Sequence, residues 1–219
     1  MNPFVVFPSA KSPDACDPVL KAWREKGWKC AVFRDEGQER VGAEYVLWGE
    51  YKGYPQAANA LCKFILKEEF DLHWICCAGD DMYPPDLCAW RIVDQCTAHF
   101  GEGGFGVMQA TGDEGSDRIC GAPLVGRDFV LRFNGGAGPF WPEYHHYFAD
   151  EELHDVTLDL GLLWQRPDLR IRHDHYTRTG LPQPSYMLKA TARWGQDQTL
   201  FFGRKAGGFP GSESLEFTS

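Results

Sequence analysis

Two adjacent carboxylates, Asp80 and Asp81, follow an apolar run from Trp74 to Ala78 that breaks at Gly79. On a rigid turn, two acids present the hard oxygen ligands that a divalent cation takes. They equally suit a solvated turn, where Asp forms turns and caps helices. Three consecutive acids, Asp150, Glu151 and Glu152, come directly after Tyr144-His145-His146-Tyr147-Phe148-Ala149. Asp150 suits an N-cap there, and the glutamates suit a first helical turn, where the helix dipole favours negative charge. A carboxylate at such a helix start can also serve as general base. Arg172-His173-Asp174-His175-Tyr176 follows the strand-like Leu169-Arg170-Ile171. In an extended segment His173 and His175 project to one side, as a pair of metal ligands would, and Asp174 to the other.

The elements that must hold these groups alternate. Phe4 to Phe7 reads as a first strand and Pro8 to Pro13 as its loop. Val19, Leu20 and Trp23 recur at helical spacing before Gly27. Cys30 to Phe33 and Tyr45 to Trp48 read as strands, and Gly53-Tyr54-Pro55 leads into a helix faced by Ala57, Leu61, Phe64 and Ile65. Pro85 suits the first position of the helix that follows the acidic turn and runs to about His99. Strands alternating with helices over short connections predict an α/β sheet, mostly parallel and covered on both faces. In such sheets, ligands bind in the turns beyond the strands' carboxyl ends.

Past a glycine-rich break at Gly101 to Gly104 the pattern changes. Gly106 to Ala110 and Gly121 to Gly126 are expected as strands, Phe129 to Phe133 as strand or short helix, and Asn134 to Pro139 as a loop. Leu153, Val156, Leu160, Leu163 and Trp164 predict one amphipathic helix. A single domain over 1–204 is expected, with halves 1–100 and 101–204, and a flexible tail over 205–219.

Composition bounds the function. A formal charge of -9 argues against nucleic-acid binding through a broad basic face, although Arg166, Arg170, Arg172, Arg178 and Arg193 fall in one segment. None of the 8 cysteines makes a CxxC pair, which argues against a zinc knuckle. No basic, apolar leader opens the chain and no apolar run is long enough to span a membrane, so a reduced cytoplasm is expected.

From Phe4 to about Phe202 the chain resembles the inverting GT-A glycosyltransferases of the large family-2 type. The resemblance rests on Gly53-Tyr54-Pro55-Gln56-Ala57-Ala58-Asn59, on Ala78-Gly79-Asp80-Asp81-Met82-Tyr83-Pro84 and on Ala149-Asp150-Glu151-Glu152-Leu153. Ala78 and Ala149 stand where the family carries leading acids. The resemblance implies a GT-A-like, Rossmann-like domain whose mixed, mostly parallel sheet is flanked by helices. It implies transfer of a sugar, with inversion, from a nucleotide-sugar donor, a UDP-sugar in first place, to an acceptor hydroxyl. The donor would lie against Pro8, Ser9, Asp35, Gly53, Asn59, Gly79 and Asp80. Manganese or magnesium would be held by Asp80 with Asp81 and His173 or His175. Asp150, or Glu151, would be the base. Trp141, Tyr144 or His145 would line the acceptor site, and Asp197-Gln198-Thr199-Leu200-Phe201 resembles a segment that closes over the donor.

The compact size is similar to viral or phage transferases, which would place the protein in a host cytoplasm. The acceptor is then a glycan, a protein or a hydroxymethylated DNA base. The alternatives are a metal-dependent phosphohydrolase or nuclease, and a non-catalytic nucleotide- or carbohydrate-binding module.

Overall fold

The computed structural model describes residues 2–113, 116–180 and 182–212, with the backbone only of 185 and 186. Seven strands form one sheet: β1 (Phe4–Pro8), β2 (Lys29–Asp35), β3 (Tyr45–Gly49), β4 (Trp74–Cys77), β6 (Val107–Ala110), β7 (Leu124–Gly126) and β8 (Leu163–Arg166). Their order is β3-β2-β1-β4-β7-β6-β8. All run parallel except β7, which is antiparallel to both its neighbours. This is the mixed, mostly parallel sheet that the alternation predicts. Because β4 pairs with β7, the two expected halves share one sheet and one domain.

The central strands are buried on both faces, and their residues divide by the two-residue period. Phe4, Val6, Ala31, Phe33, Ile75 and Cys77 join a core under α2 (Tyr54–Glu68), α4 (Arg127–Arg132) and α5 (Ala149–Asp159). Val5, Phe7, Cys30, Val32, Trp74 and Cys76 join the opposite core, under α1 (Pro13–Glu25) and α3 (Ala89–Phe100). Seven of the eight free cysteines are buried, behaving as small hydrophobes. Gly126 lies so close to the backbone of Gly104 that any side chain there would collide with it. The glycine-rich break is therefore a packed crossing point rather than a flexible joint.

Several expectations are corrected. Pro85 does not open a helix: residues after Asp81 form β5 (Met82–Tyr83), and α3 begins at Ala89. The backbone of β5 finds its partner in β9 (Arg172–His173), an antiparallel ribbon outside the main sheet. The strand expected at Leu169–Ile171 is displaced to β9 for the same reason. Leu163 and Trp164 leave the helix and enter β8, because Gly161, at φ 69°, turns the chain after α5 and β6 offers a parallel edge. Phe129 to Phe133 resolves as helix, α4, with a 3-10 turn over Phe133–Gly136. The tail is ordered as far as it is described. Past the short α6 (Tyr176–Thr179), helix α7 (Ser185–Ala206) runs on, and Phe209 and Ser212 are buried against it. Residues 213–219 lie outside the described residues. Among the described residues no helix is long and apolar enough to cross a membrane.

Candidate active site

A cavity of about 820 Å³ opens where β1, β2 and β4 present their carboxyl ends. It gathers Pro8 and Ser9 after β1, Asp35 at the end of β2, and Gly79, Asp80 and Asp81 after β4. Asp150 of α5 and His173 and His175 of the β9 segment face it from the other side. Residues more than a hundred positions apart, singled out by type and spacing, thus share one wall-to-wall space.

The floor is a buried polar chain. Asp80 is only 6% exposed and accepts a 2.7 Å hydrogen bond from the Ser9 hydroxyl. Lys11 reaches across, donating to the Asp80 carbonyl at 2.5 Å and standing 3.3 Å from its carboxylate. Arg34, 2% exposed, donates to the carbonyls of Ser9 and Lys11 at 2.9 and 2.6 Å and fixes the loop from below. Burial raises the Asp80 carboxyl above the usual range, and Lys11 and Ser9 pull the other way. Both oxygens of Asp80 are therefore engaged by this chain's own groups.

Asp81 has a different neighbour. Its Oδ2 lies 3.3 Å from His173 Nε2. Register explains the meeting: β5 and β9 pair Met82 with His173, and the Asp174 N–H donates to the Asp81 carbonyl at 2.9 Å. Burial would raise the Asp81 carboxyl, but the hydrogen bond and charge of His173 outweigh it and hold the group below the usual range. The His175 ring packs 5.2 Å from that of His173, and its Nδ1 faces the Thr177 hydroxyl at 2.8 Å. Burial and the neighbouring His173 lower the His175 pKa.

A divalent cation fits here in part. Two donors 3.3 Å apart suit adjacent positions around one ion, and a nucleotide-bound cation takes its other ligands from phosphate and water. Among the described residues no three His, Cys, Asp or Glu side chains converge into a metal-binding group. The expected set of four thus divides into an Asp81–His173 pair with His175 beside it, and an Asp80 held by lysine and serine.

Across the cavity, Asp150 is not the N-cap. Phe148 occupies that place at φ 68°, and all three acids lie in the first turn of α5. Asp150 lines the cavity, whereas Glu152 is buried away from it, accepting from Tyr144 at 2.6 Å and from Arg204 at 2.7 Å. Glu151 has one oxygen, Oε2, buried without a hydrogen-bond partner. Burial, with Asp150 beside it, pushes the Glu151 carboxyl up to about 9. The approach to α5 is pinned by Asp197 of α7. Its two oxygens accept the N–H groups of His145, His146 and Tyr147 at 2.9, 2.9 and 3.0 Å. Asp197 is 3% exposed and anchors this segment rather than forming a mobile flap.

Gly53 and Asn59 lie outside the cavity wall. Gly53, at φ 141°, lets the His145 backbone come so close that a side chain would strike its carbonyl. Asn59 is buried and clamps Phe140, accepting its N–H at 3.1 Å and donating to its carbonyl at 2.7 Å. Both shape the wall from behind. Tyr144 is fully buried beside Glu152, and Trp141 lies under the Arg204 guanidinium, whereas His145 does line the cavity. Sequence reasoning missed Lys11, Arg34, Tyr51, Tyr54 and Lys189, and it placed Arg193 only in a run of arginines, not in this cavity. The cations carried a signal only in being charged next to an expected turn or on an expected helix.

No family model and no curated protein matches this chain. Solved structures similar to it include protein A197 from STIV, at 12% identity and a TM-score of 0.48 over 80% of this chain and 86% of that one. They also include a Drosophila β-1,4-galactosyltransferase 7 variant in complex with manganese, UDP-Gal and xylobiose, at 14% identity and a TM-score of 0.46 over 88% of this chain and 80% of that one.

Proposed function

We propose that the chain is a glycosyltransferase that moves a sugar from a nucleotide-sugar donor to an acceptor hydroxyl with inversion. The observation that carries the reading is convergence. Ser9, Asp35, the adjacent Asp80 and Asp81, Asp150 and His173 come from five separate places in the chain, yet all line one cavity at the carboxyl ends of parallel strands. That is where open α/β sheets hold nucleotides.

Asp35 and Tyr51 form the base end: the Asp35 carboxylate accepts the Tyr51 N–H at 2.9 Å and keeps an oxygen for the ligand. The Ser9–Asp80–Lys11 chain sets the loop against which the diphosphate lies. Asp81 and His173 would hold a divalent cation, which when bound would supply charge neutralisation for the leaving diphosphate. Asp150 takes the proton of the acceptor hydroxyl as it attacks the anomeric carbon from the face opposite the departing nucleotide.

The test is calorimetry of the protein with UDP, with and without manganese. Manganese-dependent binding, followed by transfer from a UDP-sugar, supports the reading. Binding without transfer to any glycan, protein or modified-DNA acceptor favours a non-catalytic module. Binding of none of UDP, GDP, CDP and TDP removes the transferase.

A further inference from the structure

Lys189 and Arg193 stand one turn apart on α7 and both line the cavity. Like charges at this spacing repel and destabilise a helix slightly. Both are exposed, and neither has an ion-pair partner within 4.0 Å among the described residues. The carboxylate best placed to neutralise Arg193 is Asp197, one turn further on. It is committed instead to the three N–H groups of residues 145 to 147.

Of the acids that line the cavity, Asp35 and Asp150 make no ion pair with either cation within 4.0 Å, and the other two are satisfied at home. Asp80 has Lys11, and Asp81 has His173. In a chain of net charge -9, this wall holds an unneutralised pair of cations.

Their position assigns them a side. The Thr191 hydroxyl, between them in sequence, meets the Tyr147 hydroxyl at 3.4 Å, and Phe148 packs on Trp194 with ring centroids 5.8 Å apart. The wall is thus fastened to the segment that leads into Asp150, not to the β1 and β2 ends where the nucleotide would lie.

Resting on the transferase reading, we propose that the acceptor carries a phosphate group, held between Lys189 and Arg193 while its hydroxyl faces Asp150. A phosphate monoester brings about -1.5 to -2 charge at neutral pH, which matches two cations better than a single carboxylate does. The guanidinium fork fits two of its oxygens, and the lysine supplies a point charge.

The experiment follows the Arg193 side-chain Nε–H of nitrogen-15-labelled protein by NMR, with UDP saturating and diamagnetic magnesium in place of manganese. Inorganic phosphate and acetate are titrated in parallel. Saturable phosphate shifts that exceed those of acetate support the proposal. So does a loss of about ten-fold in phosphate affinity in Lys189→Met with UDP affinity unchanged. An Arg193 signal that phosphate does not move overturns it. A fall in UDP affinity in Lys189→Met or Arg193→Met also overturns it, because the cations then serve the donor diphosphate. An acetate response equal to that of phosphate replaces phosphate with a carboxylate and overturns the assignment as stated. Absence of UDP binding by the unaltered protein removes the transferase reading and this assignment with it, whereas failure of phosphate alone leaves the transferase standing.

Discussion

Asp81 Oδ2 and His173 Nε2 meet at 3.3 Å because β5 and β9 pair Met82 with His173. A carboxylate from the strand turn and an imidazole from the far end of the sequence thereby share one edge of the cavity. If they share a cation, Asp81→Asn should weaken manganese binding in the presence of UDP by at least about ten-fold. Paramagnetic resonance of free manganese reads this directly, and an unchanged affinity would move the cation away from this pair.

Asp150 faces the cavity from the first turn of α5. Asp150→Asn keeps the shape and removes the proposed base. Donor affinity should stay within error of the unaltered protein, and turnover should fall about 10²- to 10⁴-fold. Full turnover in this variant would assign the proton to another group.

Glu151 gives a pH dependence with a definite sign. Its carboxyl, pushed up to about 9 by burial and Asp150, holds its proton more tightly folded than unfolded. It therefore costs nothing below the ordinary glutamate range and destabilises the fold increasingly as pH rises from about 4.3 to about 9. Glu151→Gln removes that penalty. Urea midpoints of the variant should pull ahead of the unaltered protein as pH rises through this window, and parallel curves would refute the assignment.

Asp197 accepts three consecutive backbone N–H groups in a buried setting. Asp197→Ala should cost about 3 kcal/mol, since each stranded buried donor carries a desolvation penalty and the three are not fully additive. Chemical denaturation measures it. A loss within about 0.5 kcal/mol would mean the segment holds without its clamp.

Much of the scaffold was legible because parallel strands write their burial plainly. Phe4 to Phe7, Cys30 to Phe33 and Trp74 to Ala78 are apolar on both faces, and each ends at a residue that lines the cavity or adjoins one. The acids after β4 and at the start of α5 were legible by type for the same reason. What stayed hidden depends on partners distant in sequence. Nothing local tells Leu163 and Trp164 to leave a helical pattern; β6 does, by offering an edge. Pro85 obeys a good local rule and loses to the pairing of β5 with β9. Lys11 reads as an ordinary loop lysine until β1 and β4 lie side by side and bring Asp80 within its reach. Asn59 carried a motif's position but faces Phe140, because the loop after Asn134 folds back over α2.

The end of the described chain is not expendable. Arg204 is nearly buried; it forks onto Glu152, donates to the Pro210 carbonyl and receives support from the Ser212 hydroxyl. Glu152 belongs to the same helical turn as Asp150. Shortening the protein ahead of Phe209 would unroof a charged pair beneath the proposed base, so damage late in the chain would be felt at the candidate site.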